Sequence, residues 1–577
     1  MLRRYFEDEM RALQEGGREF ARLYPELARA LHPESQADRD PHVERLFEGF
    51  AFLVGRVRER LDDELPEYTE GLCRLLYPHY LRPIPAMTVV EFAPRPGLLQ
   101  ETTVVEAGFE VRSAPVGEER TTFRFTTTAP VRLQPLRLAD VRVAWPTPAT
   151  STLTIRFDLE RGAEWKKLAL SPLGLFFGVD PGVAATLRLF LSRDLAGVTV
   201  RSGAWSHELG AASVRLAERS GEGGVLPAAD TQFPGFRLLQ EYLAFRPRFA
   251  FADVHGLGGL ALPEGARSLE LELRFARALP HDRPLTAESI RLFCAPAVNL
   301  FTESVEPVRV EHRQSEYPVV ADVARPKSVE VYDLVEVEGI VEATGQRFPY
   351  ASFQTFAWPS GRFYEELSRP GPDGRRRAYV AVGGEAADDV GSGPVTLSIT
   401  ARCTNGDLPH DALPEGTLSR PGPGASNLAS FRNLGRPTHA LRPPLDAGEE
   451  FLWRLVAYLA LNRASIGTAP ALSALLALHD WSGDPANRRR VGAVRSVAWR
   501  PAEALFRGGI VRGADVAVEV EDEPFLDDGD LHLFGAVLSA VLADYATINS
   551  FVHLDLTARP SGRHFRWTPR TGTQPLL

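Results

Sequence analysis

The sequence predicts an α+β protein with helical ends and a β-rich middle. Apolar residues recur every three or four positions up to residue 85 and again from residue 450, which is the spacing of amphipathic helices. Between these regions, short stretches of alternating apolar and polar residues are separated by Gly, Pro and Asp, as in strands joined by turns. Because few helical patterns interrupt the strands, sandwich-like or barrel-like sheets are favoured over a doubly wound sheet.

The N-terminal helical region contains the most distinctive stretch of the chain, 40–85. Asp40 is a good N-cap, and Pro41 suits the first turn of a helix. An apolar stripe follows, and Pro66 is expected to open a second helix with its own stripe. The stripes consist of Val43, Leu46, Phe47, Phe50, Leu53, Val54, Val57 and Leu61 in the first helix, and Tyr68, Leu72, Leu75 and Leu76 in the second.

Wide apolar faces on several helices require something to cover them. The cover is either the rest of the chain, which makes the stripes part of the protein's own core, or another subunit, which makes them a docking surface. For the second interpretation, the candidate interface residues are Phe47, Phe50, Val54, Tyr68 and Tyr80.

The middle of the chain is predicted to be a series of strands. The clearest is 268–275, in which four apolar residues alternate with charged residues, so that one face is apolar and the other polar. The other predicted strands are 87–92, 121–128, 139–145, 152–159, 186–192, 329–337 and 395–402.

The length of 577 residues suggests several domains. We expect an N-terminal helical region at 1–85 and β-rich domains at 86–260 and 261–407. The segment 408–449 is dense in Pro and Gly, which predicts a linker or a long loop. A C-terminal α+β domain at 450–577 carries three more helical stripes, with Asp530 as the expected N-cap of the third.

Composition excludes several classes of protein. The net charge of −10 argues against a dedicated nucleic-acid binder. Cys73, Cys294 and Cys403 lie far apart without a CxxC motif, which excludes a zinc ribbon or disulfide scaffold and fits a reducing cytoplasm. The N-terminus lacks the apolar segment of a signal peptide, and no apolar run reaches membrane-spanning length, so no direct membrane insertion is expected.

Motifs that carry chemistry give weak signals. The acidic run 519–530 does not have the ligand spacing of a calcium loop, and Gly256-Leu-Gly258 is not followed by the helix that a phosphate-binding loop needs. His79 has no nucleophile motif beside it, and the sequence contains no P-loop, HExxH or G-x-S-x-G motif. We therefore predict no catalytic, cofactor-binding or metal-binding residues, and no cofactor.

The stretch 40–85 resembles the N-terminal signature of TssF, a baseplate subunit of bacterial type VI secretion systems. The matching motifs are Asp40-Pro-His-Val-Glu-Arg-Leu, Leu61-Asp-Asp-Glu and Leu76-Tyr-Pro-His-Tyr-Leu-Arg-Pro. Arg246 is a departure, because the family is expected to have a proline there. Further blocks similar to the family follow in the same order: Phe123-Arg-Phe-Thr-Thr, Gly235-Phe-Arg-Leu-Leu-Gln-Glu-Tyr, Cys294-Ala-Pro-Ala-Val-Asn-Leu-Phe, Glu316-Tyr-Pro-Val-Val-Ala-Asp, Thr404-Asn-Gly-Asp-Leu-Pro, Trp453-Arg-Leu, Asn549-Ser-Phe and Trp567-Thr-Pro-Arg-Thr-Gly.

This resemblance implies a structural wedge subunit without catalytic residues. Its implied partners are TssG, TssE, TssK and a second TssF copy, arranged around the VgrG hub as the platform for tube and sheath assembly. The implied location is the cytoplasmic side of the membrane complex of a Gram-negative bacterium, with the membrane contacted only indirectly. The alternative is a β-sandwich carbohydrate-binding protein or enzyme, which would need clustered carboxylates or exposed aromatic residues in a cleft.

Overall fold

The computed structural model describes residues 10, 13, 41–178, 180–216, 224–228, 233–311, 313–355, 361–371, 375–384, 394–422, 428–445, 449–459, 466–506, 509–547 and 549–572. The chain divides into two units: one comprises Met1–Leu81 and Pro444–Ala460, and the other comprises Arg82–Pro443 and Leu461–Leu577. Among the helices described, none combines the length and the hydropathy needed to cross a membrane.

Helices occur near both ends and at a few points between the strands. The α-helices are α1 (Pro41–Leu76), α2 (Pro181–Leu189), α3 (Pro234–Ala244), α4 (Leu408–Ala412), α5 (Glu449–Leu459), α6 (Ala469–Leu478), α7 (Pro485–Val491) and α8 (Asp528–Asp544). Short 3-10 or π turns cover Pro78–Leu81, Trp165–Lys167, Phe190–Asp194, Ala211–Ser213 and Arg246–Ala250.

The first unit is built on α1, which packs against α5. The sequence predicted two helices with a new start at Pro66, and this prediction is wrong, because α1 runs without a break through that residue. An internal proline costs a helix about 3 kcal/mol but does not forbid it. Apolar residues continue at helical spacing on both sides of Pro66, which favours a single element. The predicted stripe at residues 2–13 lies largely outside the described residues.

Sheet A of the second unit collects strands that are far apart in the sequence. Its order is β24-β3-β4-β15-β1-β25, and all its pairings are antiparallel. The sheet curls like a barrel, because the Gly416 and Leu418 N–H groups of one edge donate to the backbone and side-chain oxygens of Asn433 at the other. Its strands are β1 (Met87–Pro94), β3 (Glu110–Ser113), β4 (Arg124–Thr127), β15 (Cys294–Val298), β24 (Leu418–Pro421) and β25 (Ala429–Leu434).

Two more antiparallel sheets share an apolar core with sheet A. Sheet B has the order β10-β9-β13-β7-β6 and sheet C the order β11-β12-β8-β14, while β2 pairs with β5. Sheet B contains β6 (Leu136–Thr147), β7 (Thr150–Leu159), β9 (Leu195–Ser202), β10 (Trp205–Leu209) and β13 (Ser268–Phe275). Sheet C contains β8 (Leu173–Phe176), β11 (Val214–Leu216), β12 (Phe251–Val254) and β14 (Arg291–Leu292), and the separate pair is β2 (Thr103–Val105) with β5 (Val131–Leu133).

Sheet D has its own apolar core. Its order is β16-β23-β19-β20-β21-β22-β18, with β17 added beside β23. All its pairings are antiparallel except that of β20 with β21. Its strands are β16 (Phe301–Ser304), β17 (Val308–Val310), β18 (Tyr317–Pro318), β19 (Glu330–Val341), β20 (Arg347–Ser352), β21 (Arg362–Pro370), β22 (Arg376–Gly384) and β23 (Val395–Thr404).

Sheet E is the C-terminal sheet. Its strands β27 and β28 run parallel, and α8 lies between them in the sequence, as a crossover connection requires. Residues 529–544 of α8 are all buried, so this helix has no solvent-facing side. The strands are β26 (Val494–Phe506), β27 (Gly509–Glu521), β28 (Phe551–Arg559), β29 (His564–Arg566) and β30 (Arg570–Thr571). The predicted α+β class is confirmed.

Two local predictions are wrong. The expected strand at 186–192 belongs to α2 and the turn after it. Asp180 caps this helix by accepting from two backbone N–H groups, and Val183 and Leu187 lie one turn apart on a buried face, so helix packing overrides a strand-like alternation. Asp530 is not the N-cap of α8, because Asp527 fills that position and accepts from the Asp530 N–H at 2.9 Å.

The segment 408–449, predicted as a linker or long loop, contains α4, β24 and β25. Both strands are paired in sheet A, where β25 lies against β1 over six residue pairs. Proline and glycine are frequent here because the chain must make several tight turns between short elements.

A buried carboxyl group links two helices of the second unit. Asp544, the last residue of α8, accepts hydrogen bonds from the Gly235 and Phe236 N–H groups at 2.8 and 3.3 Å, at the start of α3. A Cβ on Gly235 would lie 2.5 Å from the Ala540 carbonyl oxygen, so only glycine allows this approach. Burial raises the pKa of Asp544 from its ordinary value of 3.8 to about 7, against the lowering effect of the two N–H groups.

This raised pKa predicts a pH dependence of stability. Between about pH 4 and pH 7 the folded state binds more protons at Asp544 than the unfolded state, so its contribution to stability falls as the pH rises through this window, by up to about 1.4 kcal/mol per pH unit. Asp544→Asn keeps a hydrogen-bond acceptor and removes the charge. We expect its melting temperature, relative to the parent protein, to rise from pH 5 to pH 8, and a pH-independent difference would contradict this.

Candidate protein interface

The predicted interface residues fall into three groups. Phe50 and Tyr68 of α1 are 55% and 75% exposed, and Val54 is half-buried. Tyr80 is fully buried in the short turn after α1, so its ring is not part of the exposed surface. Phe47 lies in α1, but its side chain is outside the described residues.

Exposed apolar side chains lie on one side of α1 in the two stretches where the structure describes its side chains. Leu46, Phe50 and Leu53 follow the helical spacing i, i+4, i+7. Tyr68, Leu72 and Leu75 follow the same spacing in the last part of the helix. All six side chains are exposed. Because about six helical turns separate the two groups, they lie on the same side of the helix. The buried residues Ala51, Thr69 and Cys73 lie on a different side. We call these six exposed residues the α1 apolar face.

Two glycines belong to the same side of the helix. Gly49 and Gly71 have open space where a Cβ would stand, with no described atom within 4 Å. A glycine inside a helix costs about 0.5–1 kcal/mol relative to alanine. No contact within the described residues requires glycine at these two positions. A partner that approached the helix closely at this side would require it. Trp453 of α5 in the same unit is also exposed, at 51%.

Three of the family-like blocks meet in a buried hydrogen-bond network in the second unit. The Asn299 side chain donates to the Arg124 carbonyl at 2.7 Å and to the Asn405 Oδ1 at 2.9 Å, and its own oxygen accepts from the Thr404 hydroxyl and the Asn405 N–H. The Asn405 amide donates in turn to the Ser328 carbonyl. These motifs therefore join sheet A to sheet D and are structural.

A second buried network surrounds Asp530. Its carboxylate lies 3.0 Å from Arg246 Nη1 and 3.1 Å from Arg490 Nη2, and it also accepts from the Leu526 N–H. Arg246, the departure from the expected proline, donates to the Tyr242 hydroxyl at 2.8 Å as well. The arginine thus ties α3 to α8, which its position in the sequence did not reveal.

The residues of the weak chemical motifs have structural roles in turns, in a helix cap and in side-chain packing. Gly256 sits in a turn with φ of 83° after β12, and the acidic run supplies the α8 cap, Asp527, which pairs with Arg283. His79 lies against Tyr80, with ring centroids 4.4 Å apart. Across the described ranges, no three His, Cys, Asp or Glu side chains are grouped so that they could hold a metal ion.

Buried polar networks that join sheets and helices, together with an apolar helical face, are what a structural protein is expected to have. The family described as "Type VI secretion system, TssF" matches residues 1–574. The chain therefore belongs to the TssF family, which is a structural component of the type VI secretion baseplate and not a family of enzymes.

Relatives and solved structures agree with this assignment. The chain is 32% identical to the type VI secretion system component TssF1 of Pseudomonas aeruginosa, over 100% of this chain and 99% of that protein. A chain in a cryo-electron microscopy structure of the TssK-TssF-TssG baseplate subcomplex superposes with a TM-score of 0.78 at 32% identity, covering 92% of this chain and 99% of that one. A chain in the type VI baseplate complex gives a TM-score of 0.65 at 30% identity, with both chains fully covered.

Proposed function

We propose that this protein is a wedge subunit that binds TssG and TssK, together with TssE and a second copy of itself, around the VgrG hub. In this role it forms part of the platform for tube and sheath assembly, on the cytoplasmic side of the membrane complex. The similar TssF chain assembled with TssK and TssG supports the first two partners.

The observation that carries the proposal is the α1 apolar face. A helix that exposes Leu46, Phe50 and Leu53, and then Tyr68 at the far end, would gain from burial against a partner about 25 cal/mol for each Å² of apolar surface removed from water. The interpretation of the stripes as the protein's own core is less well supported, because these side chains remain exposed. We infer that TssG and the second copy cover them, through helix packing.

The test is the double substitution Phe50→Asp with Leu53→Asp, in the chain co-expressed with TssG. We expect co-purification with TssG to be lost, because two charges would have to be buried in the helix contact. Folding should be retained, because both side chains are exposed in the chain alone. The measurements are affinity capture of TssG and the mass of the complex, with circular dichroism of the variant as a check on its fold.

Phe52→Asp is the matched control. Phe52 is also exposed, but it is two residues from Phe50 and so lies about 200° away around the helix. This control should still capture TssG. If the folded double variant captures TssG as well as the parent protein does, the α1 apolar face is not the TssG contact.

A further inference from the structure

Two segments of the second unit lead along the chain to the first unit, and they lie side by side. The chain passes into the second unit after residue 81 and leaves it again after residue 443. Next to these passages, the Ile84 N–H donates to the Leu441 carbonyl at 2.7 Å, and the Leu441 N–H donates to the Ile84 carbonyl at 2.8 Å. We call residues 82–86 and 437–443 the root segments.

Each root segment carries an arginine that binds carboxylates of sheet D. Arg442 Nη2 lies 2.7 and 2.9 Å from the two carboxylate oxygens of Glu330 on β19. Arg82 Nη1 lies 3.1 Å from Asp333 Oδ2, also on β19, and Arg82 Nη2 lies 3.3 Å from Glu366 Oε2 on β21. Hydrogen bonds between charged groups are stronger than neutral ones. Sheet D therefore holds both root segments through guanidinium groups.

The two carboxylates on β19 also bind arginines outside the root segments. Asp333 accepts from Arg402 Nε at 2.7 Å, and Glu330 Oε1 lies 3.7 Å from Arg375 Nη1. If the root arginines left, both carboxylates would keep a positive partner. Their departure therefore leaves no unpaired carboxylate on β19, which is the main cost of breaking a buried ion pair.

Glu366 differs from these two carboxylates. Among the ion pairs of the described residues, Arg82 is its one partner. Burial raises the pKa of Glu366, against the lowering effect of Arg82. Without Arg82 the pKa would rise further, so Glu366 would take up a proton instead of remaining an unpaired buried charge. The charged and titratable groups that face Glu366 are Arg82, Tyr332 and Asp333 of β19, Arg402 of β23, and Tyr364 of its own strand.

We propose that Arg82 and Arg442 form a releasable clamp, which holds the root segments on sheet D. In the released state Asp333 and Glu330 keep their second arginines, Glu366 carries a proton, and the root segments are free while sheet D stays folded. Because release takes up a proton, a lower pH favours it. The clamp lies within the second unit and does not depend on the contact with TssG.

The test is hydrogen exchange of the full chain, with the Ile84 and Leu441 amides as reporters of the root segments. In Arg82→Ala with Arg442→Ala we expect these amides to exchange at least about tenfold faster, because the charged hydrogen bonds that oppose local opening are lost. The amides of β19 should exchange as in the parent protein. Arg442→Ala alone, at an exposed position, should give a smaller increase and tests the clamp even if the double variant does not fold.

Arg309→Ala is the matched control. Arg309 is an exposed arginine of sheet D that pairs with Glu342 at 3.1 Å, remote in sequence from the root segments. Its removal should leave the exchange of the Ile84 and Leu441 amides unchanged.

The pH dependence tests the role of Glu366. After correction for the intrinsic exchange rate, the root segments of the parent protein should open at least about threefold more often at pH 5 than at pH 8. Glu366→Gln cannot take up the proton and should abolish this difference.

Three outcomes would overturn the inference. The first is unchanged exchange of the Ile84 and Leu441 amides in the arginine variants. The second is an equal acceleration throughout β19, which would show unfolding of sheet D and not release of the root segments. The third is a pH dependence that persists in Glu366→Gln. Because TssG is absent from the assay, none of these results bears on the proposed α1 contact.

Discussion

Asp530→Ala is expected to lower the free energy of unfolding of the second unit by roughly 3–5 kcal/mol, the range for removing one partner of a buried ion pair. The substitution leaves the guanidinium groups of Arg246 and Arg490 without their shared carboxylate, and Arg490 is itself buried. It also removes the acceptor of the Leu526 N–H. Urea titration and the melting temperature would measure the loss.

Glu523→Ala is the matched control for Asp530. Glu523 lies in the same acidic run but is exposed, so its removal should change stability by less than about 0.5 kcal/mol. Asp530→Asn should fall between the two, because the amide keeps an acceptor but loses the charge. Equal stabilities of the Asp530→Ala variant and the control would show that the network contributes nothing to the fold.

Asn299→Ala is expected to lower the free energy of unfolding by about 3 kcal/mol or more. Several buried groups lose their hydrogen-bond partners, and each loss costs about 1–3 kcal/mol. These groups are the Arg124 carbonyl, the Asn405 N–H and amide oxygen, and the Thr404 hydroxyl. Alanine also leaves an unfilled volume at a fully buried position. We expect a lower melting temperature and faster proteolysis where sheets A and D meet.

Thr302→Ala, at an exposed position on the neighbouring strand β16, is the control for Asn299 and should behave like the parent protein. If the Asn299→Asp variant were as stable as the parent protein, the hydrogen bonds of the Asn299 amide would not be the source of the stability. An aspartate cannot donate to the Arg124 carbonyl, and its charge would be buried.

The two kinds of variant separate folding from assembly. Substitutions at Asp530 and Asn299 should reduce the amount of folded protein and thereby every interaction it makes. Substitutions at Phe50 and Leu53 should leave the chain folded and remove only the contacts proposed for the α1 apolar face. A loss of baseplate assembly can then be assigned to the fold or to the surface by measuring the melting temperature of the same variant.

Local patterns predicted many elements well. The alternation of Ser268–Phe275 predicted β13 with its bounds, because a strand with one buried face requires period two. The helical spacing after Pro41 predicted the helical character of α1 but not its continuation through Pro66, and its apolar residues were predicted to need cover from the rest of the chain or from another subunit. The pattern failed at 186–192, where alternation by itself could not show that the segment lies against α8.

The polar networks could not be predicted from the sequence. Asn299 and Asn405 are far apart in the chain, and neither amide differs by any local pattern from a turn asparagine. Asp530 looked like a helix cap because an Asp before an apolar helix usually is one. Its ion pairs with Arg246 and Arg490 depend on three elements that come together only in the folded chain.

The sequence by itself determined the α+β class, the amphipathic character of the ends, the resemblance to the TssF family and the lack of a recognisable catalytic motif. Each of these depends on the spacing and order of residues, which the chain carries directly. The tertiary structure decided which apolar residues stay exposed and which charges are paired, because burial and pairing depend on distances between elements remote in sequence. Thus Tyr80 is buried and Phe50 is exposed, although both belonged to the same predicted interface.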